Sequence, residues 1–376
     1  ETSARDRAKS LPQSHEIRNQ LVTEGSLVTN KMKAWQGSIA ISRHRGIVSP
    51  AYYVYRPLSD ECDQFLHYLL RSDTYIATYG RISKGVRVNQ WDLEHEALRT
   101  VPIYLPDLPT QRQIADFLDR ETARVDLLIE KKQRLVDLLD ERRKLTLGEH
   151  LGNQPSSMRE DNRPWLSSYA GTWPVKRLSH FLAKSPCYGV LKPDDFAGEG
   201  AVPIIRIRDI VGSQLNREEI VTISPAQSEE YRRTIINEGD VILSVVGTIG
   251  KTYIVRPEDS GMNLTRALAR IQLTAQMQAP YFCMVINSSW FTDYVSLVCQ
   301  GSAQKVLNME ALSAFRFPVP DVREQSNIVA AYSAAVEPLM RISDTTVASI
   351  DRLREYRSAL ITAAVTGQID PATWSR

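Results

Sequence analysis

Positively charged side chains gather in stretches of this sequence that contain no aspartate or glutamate. Five such windows occur, at residues 25–59, 74–91, 241–257, 260–292 and 294–309. Cations without neighbouring carboxylates can face the phosphates of a nucleic acid without a competing ion pair. A single window is more typical of surface cations lying beside a strand, but five windows spread over both halves of the chain favour nucleic-acid binding.

The residues predicted to contact DNA are cations and a few polar or aromatic side chains. In the first half they are Lys31, Lys33, Trp35, Gln36, Arg43, Arg45, Arg81, Lys84 and Arg87. In the second half they are Arg206, Arg208, Thr248, Lys251, Arg266, Gln304 and Lys305. Arg206 and Arg208 are predicted to share one face of a strand over 202–207, because side chains two residues apart point the same way. Trp35 could stack on a base or cover the core, and the sequence leaves both open.

The loop at 247–252 contains Gly-Lys-Thr, which also ends the motif of a phosphate-binding loop. Such a loop also needs a glycine at the position that Val245 holds, and it must open a helix. The flanking runs at 241–246 and 253–255 are instead typical of strands. We therefore expect a tight strand–strand turn that presents Thr248 and Lys251 to DNA.

Other catalytic and metal-binding patterns are missing from the sequence. The six histidines show no His-x-x-x-His or His-Glu-x-x-His spacing, and no Gly-x-Ser-x-Gly elbow occurs. Asp194 and Asp195 follow a proline and are more typical of a turn than of a nuclease cluster. The four cysteines are too scattered for a zinc site or an evident disulfide framework. We predict a non-catalytic protein that holds neither metal nor cofactor.

Two long amphipathic helices must position these candidate residues. The first is predicted from about Thr110 to Glu149 and the second from Ile328 to Ala364, each with one narrow apolar seam. The predicted seam residues are Ile114, Leu118, Val125, Leu128, Leu135, Leu139, Ile328, Tyr332, Leu339, Ile342, Leu353, Tyr356 and Leu360. About 40 residues make a rod of roughly 60 Å, and so thin a seam needs a partner helix, which the chain itself supplies.

A shift of 214 residues relates the two halves of the chain. It places Gln111 on Gln325 and Ile114 on Ile328, and it also aligns the Glu-Gly pairs at 24–25 and 238–239. One shift that holds over such distances indicates a duplicated unit. The predicted domains are 1–106, a helix and linker at 107–154, a second domain at 155–320 and a second helix at 321–376.

Length and composition agree with several globular domains. The chain has 376 residues, 43% of them hydrophobic, with a net charge of +2. No apolar run approaches a membrane span, and the cysteines are expected to be reduced in a cytoplasmic protein.

Several of these stretches resemble one known family. Residues 108–119 and 123–132 are similar to the central conserved region of the specificity subunits of type I restriction–modification systems, and residues 360–369 to their distal one. Residues 239–243 with 247–251, and 30–37 with 46–52, look like motifs of the family's target recognition domains. The similarity covers nearly the whole chain.

The resemblance implies two target recognition domains of α/β (α+β) fold, separated by two long helices that form an antiparallel coiled coil. It implies double-stranded DNA as a partner, with each domain reading one half of a bipartite site. It also implies two methyltransferase subunits that use S-adenosylmethionine, and restriction subunits that use ATP and Mg²⁺. The specificity subunit itself would be non-catalytic and would hold no cofactor.

The two halves differ at their starts. Glu238 comes 73 residues after Trp165, whereas only 23 residues precede the matching Glu24. About 50 residues are therefore expected to be missing from the first domain, with a naturally shorter first domain as the alternative. Three alternatives stay open: a coiled-coil scaffold without a DNA role, an inactive truncated recognition subunit, and a solitary DNA enzyme. A scaffold would explain the helices but not the five acid-free windows.

Overall fold

The computed structural model describes residues 19–56, 58, 60–87, 90–152, 158–159, 162–166, 169–170, 172–212, 214–299 and 305–369. The chain divides into two compact units, residues 1–135 with 345–376, and residues 136–344. Both divisions fall inside the long helices, so the predicted boundaries at 106/107, 154/155 and 320/321 stay predictions. Within the described ranges no helix is long and apolar enough to cross a membrane.

The globular part of the first unit contains short strands and three short helices. In chain order they are β1 (Gln20–Val22), β2 (Leu27–Asn30), β3 (Ile39–Ile41), β4 (Gly46–Val48), β5 (Tyr52–Tyr55), α1 (Asp63–Leu70), α2 (Asp73–Ile82), β6 (Lys84–Arg87), β7 (Gln90–Asp92) and α3 (His95–Arg99).

The first unit is built on a three-stranded antiparallel sheet in the order β3–β2–β5. Leu27 of β2 pairs with Ile41 of β3 on one side and with Tyr55 of β5 on the other. Phe65 of α1 and Tyr79 of α2 are buried in one apolar cluster with Ile41. Within the sheet, β-branched and aromatic residues such as Ile41 and Tyr55 suit a half-buried pleated surface. The sheet in turn fixes the position of the β2–β3 turn.

The globular part of the second unit is larger. In chain order its elements are β8 (Met158–Arg159), β9 (Tyr169–Ala170), β10 (Val175–Arg177), β11 (Cys187–Tyr188), β12 (Val202–Ile205), β13 (Ile210–Val211), β14 (Gln214–Leu215), β15 (Val221–Ile223), α5 (Pro225–Glu230), β16 (Val241–Ser244), β17 (Thr252–Ile254), β18 (Asn263–Leu264), β19 (Leu268–Ile271), α6 (Ala279–Ile286), α7 (Ser289–Val298), α8 (Met309–Ala314) and β20 (Arg316–Pro318).

The main sheet of the second unit has the order β11–β19–β16–β17 and is antiparallel throughout. Val241 of β16 pairs with Ile254 of β17 and with Ile271 of β19. Three of its strands repeat the β3–β2–β5 arrangement of the first unit, because Val241 is the residue that the 214-residue shift places on Leu27. The duplication seen in the sequence is therefore also present in strand order, although the partners of Val241 lie 213 and 216 residues after those of Leu27.

Two continuous helices of 44 residues, α4 (Leu108–Leu151) and α9 (Val322–Val365), contribute residues to both units. In the first unit Leu118 of α4 shares a buried cluster with Leu360 of α9. In the second unit the ring of His150 of α4 lies 5.9 Å from that of Tyr332 of α9. The predicted pair of long antiparallel helices is therefore confirmed, with ends within a few residues of those expected.

The residues predicted to line the seam differ in burial. Those that are buried are Ile114, Leu118, Val125 and Leu360, and those that are partly buried are Leu139, Ile328, Tyr332, Leu339 and Leu353. The exposed ones, at 41% to 48%, are Leu128, Leu135, Ile342 and Tyr356. The additional buried positions on α9 are Gln325, Val336, Thr346, Ile350, Ile361, Ala364 and Val365. A straight helix drifts by about 20° per heptad relative to a seven-residue repeat, so a spacing of seven carries side chains off the shared face.

Candidate nucleic-acid interface

The turn between β16 and β17 has a defined shape that comes from its own residues. Gly247 and Gly250 adopt positive φ angles of 72° and 102°, which glycine accepts without steric cost. The Ser244 hydroxyl donates to the Thr248 carbonyl at 2.6 Å and accepts from the Lys251 amide at 2.8 Å. The turn joins two antiparallel strands and opens no helix, which agrees with a strand–strand turn and not with a phosphate-binding loop.

Three neighbouring segments meet this turn at the same end of the sheet. The Gly247 amide donates to the Lys305 carbonyl at 2.9 Å, and the Val245 amide donates to the Ala267 carbonyl at 2.9 Å. The Arg266 amide in turn donates to the Val190 carbonyl at 2.8 Å. Side chains that lie far apart in the sequence are thereby brought together. We call this set, Tyr188, Thr248, Arg266 and Lys305, the second-unit rim.

Close backbone approach holds the rim segments in place. A Cβ atom at Gly189 would stand 2.0 Å from the Leu264 carbonyl oxygen, so only glycine allows Tyr188 and its neighbours to lie against that strand. The Tyr188 hydroxyl donates to the Leu307 carbonyl at 3.2 Å. Burial raises the pKa of Tyr188, and the nearby Arg266 guanidinium opposes that shift. Tyr188 therefore stays neutral at physiological pH beside an exposed cation.

The cations of the second-unit rim are free to meet an anion. Arg266 and Lys305 are exposed, and neither forms an ion pair with any residue that the structure describes. Thr248 is also exposed and offers a hydroxyl. A positive surface with a hydrogen-bonding side chain is the chemistry that phosphate and base-edge contacts require.

Other predicted cations of this unit have partners in the protein. The Arg206 guanidinium donates to the buried Asp209 carboxylate at 2.8 Å. This hydrogen bond raises the pKa of Arg206. Strand β12 ends at Ile205 and a 3₁₀ turn follows, so the predicted strand face carrying Arg206 and Arg208 is wrong. Asp209 closes the turn and draws Arg206 inward, while Arg208 remains exposed.

Lys251 lies apart from the rim cations. Lys251 begins the run into β17, and its Nζ donates to the Ile210 carbonyl at 3.3 Å. Gln304 lies outside the described residues. Arg270, which shares an acid-free window with Arg266, is buried and donates to Asp240 at 2.7 Å. A window without acids in sequence therefore need not be free of acids in space.

The first unit repeats the same backbone contacts at its β2–β3 turn. The Lys31 amide donates to the Ala51 carbonyl and the Leu93 amide donates to the Lys31 carbonyl, both at 2.9 Å. The second unit has matching bonds from Val245 to Ala267 and from Leu307 to Val245. The two turns therefore occupy equivalent places in the two sheets.

The side chains at this turn of the first unit are largely aromatic. The rings of Trp35 and Trp91 are 5.0 Å apart, and the Trp35 indole N–H donates to the Met32 carbonyl at 3.0 Å. Lys31 places its Nζ 4.5 Å from the centre of the Tyr53 ring, a cation–π contact. We call this set, Lys31, Lys33, Trp35 and Trp91, the first-unit rim.

Trp91 was missed in the sequence analysis although a signal for it existed. The 214-residue shift places Trp91 on Lys305, a predicted contact residue. Trp35 is half-buried with its ring against Trp91 and its indole nitrogen bonded. It thus combines features of both roles left open for it.

The remaining candidates of the first unit lie elsewhere. Arg43 and Arg45 follow the opposite end of β3, and the Arg43 guanidinium donates to the Gln64 amide oxygen. Arg81 donates to the Thr78 hydroxyl at 3.4 Å, and the Lys84 Nζ stands 3.8 Å from Glu94. Gln36 is exposed beside the rim. The backbone of Arg87 belongs to β6, and its side chain is outside the described part.

No grouping of three or more His, Cys, Asp or Glu side chains suited to a metal ion occurs within the described ranges. The arrangement is instead a pair of exposed sheet ends, one cationic and one aromatic with two lysines. Two copies of one sheet, each continued by a long helix, define a duplicated two-domain protein.

Comparison with known proteins identifies the family. The family model described as the type I restriction modification DNA specificity domain matches residues 9–136 and 171–349. The chain therefore belongs to the family of type I restriction–modification DNA specificity domains.

Two characterised relatives come from Escherichia coli. Over 314 residues the chain is 25% identical to the type I restriction enzyme EcoBI specificity subunit, a match covering 80% of this chain and 64% of that protein. Over 324 residues it is 22% identical to the EcoKI specificity subunit, covering 82% and 66%. The matched part thus spans slightly less than two thirds of each relative.

The fold also matches a solved structure. A chain from a type I restriction–modification system, studied for its complex assembly and conformational transition, superposes with a TM-score of 0.64 at 17% identity. The match covers 93% of this chain and 83% of that one. At this identity the likeness concerns the fold.

Proposed function

We propose that this chain is the DNA sequence-recognition subunit of a type I restriction–modification complex and that it catalyses no reaction itself. Each globular unit reads one half of a bipartite double-stranded site. The observation that carries the proposal is the second-unit rim, where Arg266 and Lys305 are exposed without an ion-pair partner among the described residues. Backbone hydrogen bonds join their segments to the strand and turn that carry Thr248.

The two rims suggest different ways of contacting DNA. Arg266 and Lys305 have the charge and exposure to bind phosphates, which would supply much of the affinity and make it depend on salt. Thr248, on the turn between them, is placed to approach a base edge. The first-unit rim offers Lys31 and Lys33 beside two indole rings. Because the two rims differ in chemistry, we expect the two half-sites to differ in sequence.

The long helices are proposed to bind two methyltransferase subunits. In the first unit Leu127 and Leu128 of α4 point to solvent, as do Leu138 and Leu145 of the same helix in the second unit. Exposed leucines in a row are typical of a surface that a partner covers.

A cleft beside the helices in each unit supports the same proposal. In the first unit a cleft of about 590 Å³ is lined by His67, Arg71 and Arg357. In the second unit a cleft of about 920 Å³ is lined by Cys283 and Arg143, among others. The 214-residue shift relates Arg143 to Arg357, so a similar partner surface could use both clefts, one per unit.

The cofactors of the assembled system belong to the partners in this proposal. Methyltransferase subunits would supply S-adenosylmethionine for adenine N6 methylation, and restriction subunits would supply ATP and Mg²⁺ chemistry. The complex would work in the cytoplasm, where its DNA substrate is found.

A second candidate function is an interaction scaffold without independent DNA reading. The exposed leucines of α4 favour it as much as they favour the first proposal. Duplex binding separates the two, because a DNA reader must bind more weakly as salt rises. We expect the chain with its methyltransferase subunits to bind duplex DNA with a salt slope of several units, corresponding to several phosphate contacts. Binding that is absent at low salt would overturn the proposal.

A further inference from the structure

The main sheet of the second unit has an open edge at β17. This strand is the last in the order β11–β19–β16–β17, so it is paired on one side only. The Lys251 carbonyl accepts a hydrogen bond from the Ser244 amide at 2.9 Å, and the Val255 amide donates to the Asp240 carbonyl at 2.9 Å. Lys251 and Val255, four residues apart, therefore both direct backbone groups towards β16.

The backbone groups of Thr252 and Ile254 face the opposite side of the strand. Successive residues of an antiparallel pair direct their amides and carbonyls alternately towards the partner strand and away from it. Within the described part of the chain, no other backbone group forms a hydrogen bond with these outward amides and carbonyls. The free edge of β17 therefore offers two donors and two acceptors, which is the template that an added strand requires.

This free edge lines the cleft of about 920 Å³ in the second unit. Residues 251–257 line the cleft without a gap, as expected where a length of backbone forms the wall. The other walls come from α4, α6 and α9 and are largely apolar, with Leu139, Met284, Val336, Leu339 and Met340 among the lining residues. A groove of this kind suits an extended peptide, because its backbone can pair with the strand edge while its side chains contact the apolar walls.

Exposed cations lie at both ends of β17. Lys251 precedes the strand and Arg256 follows it, and neither forms an ion pair with any residue that the structure describes. Of the two carboxylates that line the cleft, Asp140 is bound by Arg143 at 2.8 Å and Asp344 belongs to α9. The strand edge itself therefore presents positive charge at each end, which complements a segment that carries carboxylates.

The same charges disfavour pairing between two copies of this chain. Two β17 edges in antiparallel pairing would bring Lys251 of one copy close to Arg256 of the other. Like charges that face each other across neighbouring strands are destabilising. The charge pattern therefore favours a different polypeptide as the source of an added strand.

We infer that β17 binds an extended segment of the methyltransferase subunit, which adds to the main sheet as a fifth, antiparallel strand. The segment carries apolar side chains at its centre and a carboxylate near each end, opposite Lys251 and Arg256. This inference rests on the proposed function, which places that subunit on the long helices. Leu138, an exposed residue of the proposed docking surface, is adjacent in α4 to Leu139 in the cleft wall, so one partner can reach both.

The test compares amide hydrogen exchange in the free chain and in its complex with the cognate methyltransferase subunit. We expect the amides of Thr252 and Ile254 to exchange at least about tenfold more slowly in the complex. A stable complex in which both amides exchange as in the free chain would overturn this inference and leave the proposed function standing. Absence of any complex would overturn both. Protection that appears in the free chain as its concentration rises would show a second copy at β17 and overturn the assignment to the methyltransferase subunit.

Two substitutions of Ile254 separate backbone pairing from apolar contact. Ile254→Pro removes an outward amide but none of the hydrogen bonds to β16, and proline is accepted on edge strands at such positions. We expect it to weaken binding of the methyltransferase subunit by at least about fivefold. Ile254→Val keeps the amide and should bind as the parent chain does. Thermal unfolding confirms that both variants fold, and equal affinities of the two would contradict the inferred pairing.

Charge reversal tests the acidic character of the segment without a proline. Arg256→Glu should weaken binding of the methyltransferase subunit by at least about tenfold at low salt, and the loss should shrink as salt rises. Lys184→Glu reverses an exposed cation that lies before β11, at the opposite edge of the sheet, and should leave the affinity unchanged. Equal affinities of these two variants would overturn the assignment of a carboxylate opposite Arg256.

Discussion

Gln111 and Gln325 are buried in different units and share two kinds of contact. Gln111 accepts a hydrogen bond from the Cys62 amide at 3.0 Å, and Gln325 accepts one from the Gln278 amide at 2.9 Å. Cys62 and Gln278 precede the first residues of α1 and α6. Each glutamine also donates to the carbonyl of the proline five residues before it. One side-chain amide thus ties the start of a long helix to the start of a short helix in each globular part.

Replacing Gln325 by leucine should destabilise the second unit. Leucine leaves the Gln278 amide and the Pro320 carbonyl buried without partners, and unsatisfied buried groups cost a few kcal/mol together. We expect the free energy of unfolding in urea to fall by about 2–4 kcal/mol. The neighbouring exposed Arg323→Leu should change it by less than about 0.5 kcal/mol. Equal effects of the two substitutions would contradict this role of Gln325.

Neutralising the second-unit rim should reduce the salt dependence of DNA binding. Arg266→Ala and Lys305→Ala each remove one exposed cation, so each should lower the slope of log affinity against log salt by about 1. Lys184 is an exposed cation that lies before the start of β11, whereas the rim residue Tyr188 ends that strand. Lys184→Ala should therefore leave the slope unchanged. The measurement is fluorescence anisotropy with duplex DNA at several salt concentrations. Unchanged slopes in both rim variants would remove this surface as the DNA contact.

Replacing exposed leucines of α4 by charged residues should weaken binding of the methyltransferase subunit. Leu138 and Leu145 are exposed, so aspartate at both should leave the fold intact and lower the affinity for the subunit by at least about tenfold. Leu147→Asp is the contrasting change, because Leu147 is buried and a charge there should unfold the second unit. Association is measured by calorimetry. Unaltered affinity in the folded double variant would move the docking surface elsewhere.

Tyr253 should contribute to a loss of stability at high pH. Its hydroxyl donates to the buried Asp259 carboxylate, and burial, with this bond, raises the pKa of Tyr253 to about 12. In the unfolded chain the Tyr253 hydroxyl releases its proton near pH 10. The stabilisation by Tyr253 is therefore complete below pH 10 and is lost as the pH rises towards 12. Between pH 10 and pH 12 we expect the free energy of unfolding of Tyr253→Phe to fall by about 1–3 kcal/mol less than that of the parent chain. Parallel declines in both proteins would contradict this assignment.

The sequence was informative where the signal is periodic or repeated. Long amphipathic stretches predicted α4 and α9, since an apolar stripe recurs at helical spacing. The 214-residue repeat predicted the duplication that the strand orders β3–β2–β5 and β17–β16–β19 display. The turn at Gly247 followed from its glycines and flanking apolar runs.

The sequence was less informative where long-range contacts decide. Arg270 looked free because no acid lies in its window, yet Asp240 binds it. Arg206 was predicted to lie exposed on a strand face, yet Asp209, three residues later, binds it. Asp240 lies 30 residues from Arg270, and only strand pairing brings the two together. The placement of Arg266 and Lys305 at one end of the sheet likewise depends on hydrogen bonds between separate segments. Residue type gives charge, but the fold decides which charges remain unpaired.

The most direct test of the proposed function is a map of adenine methylation. The chain is co-expressed with a cognate methyltransferase subunit in a host without its own adenine methylation, and N6-methyladenine is located by single-molecule sequencing. We predict a two-part motif whose halves differ, because the rims around Thr248 and Trp35 differ in chemistry. A motif made of two identical halves would contradict reading by both units. Absence of methylation despite a stable complex would contradict the proposal that this chain directs the methyltransferase to its site.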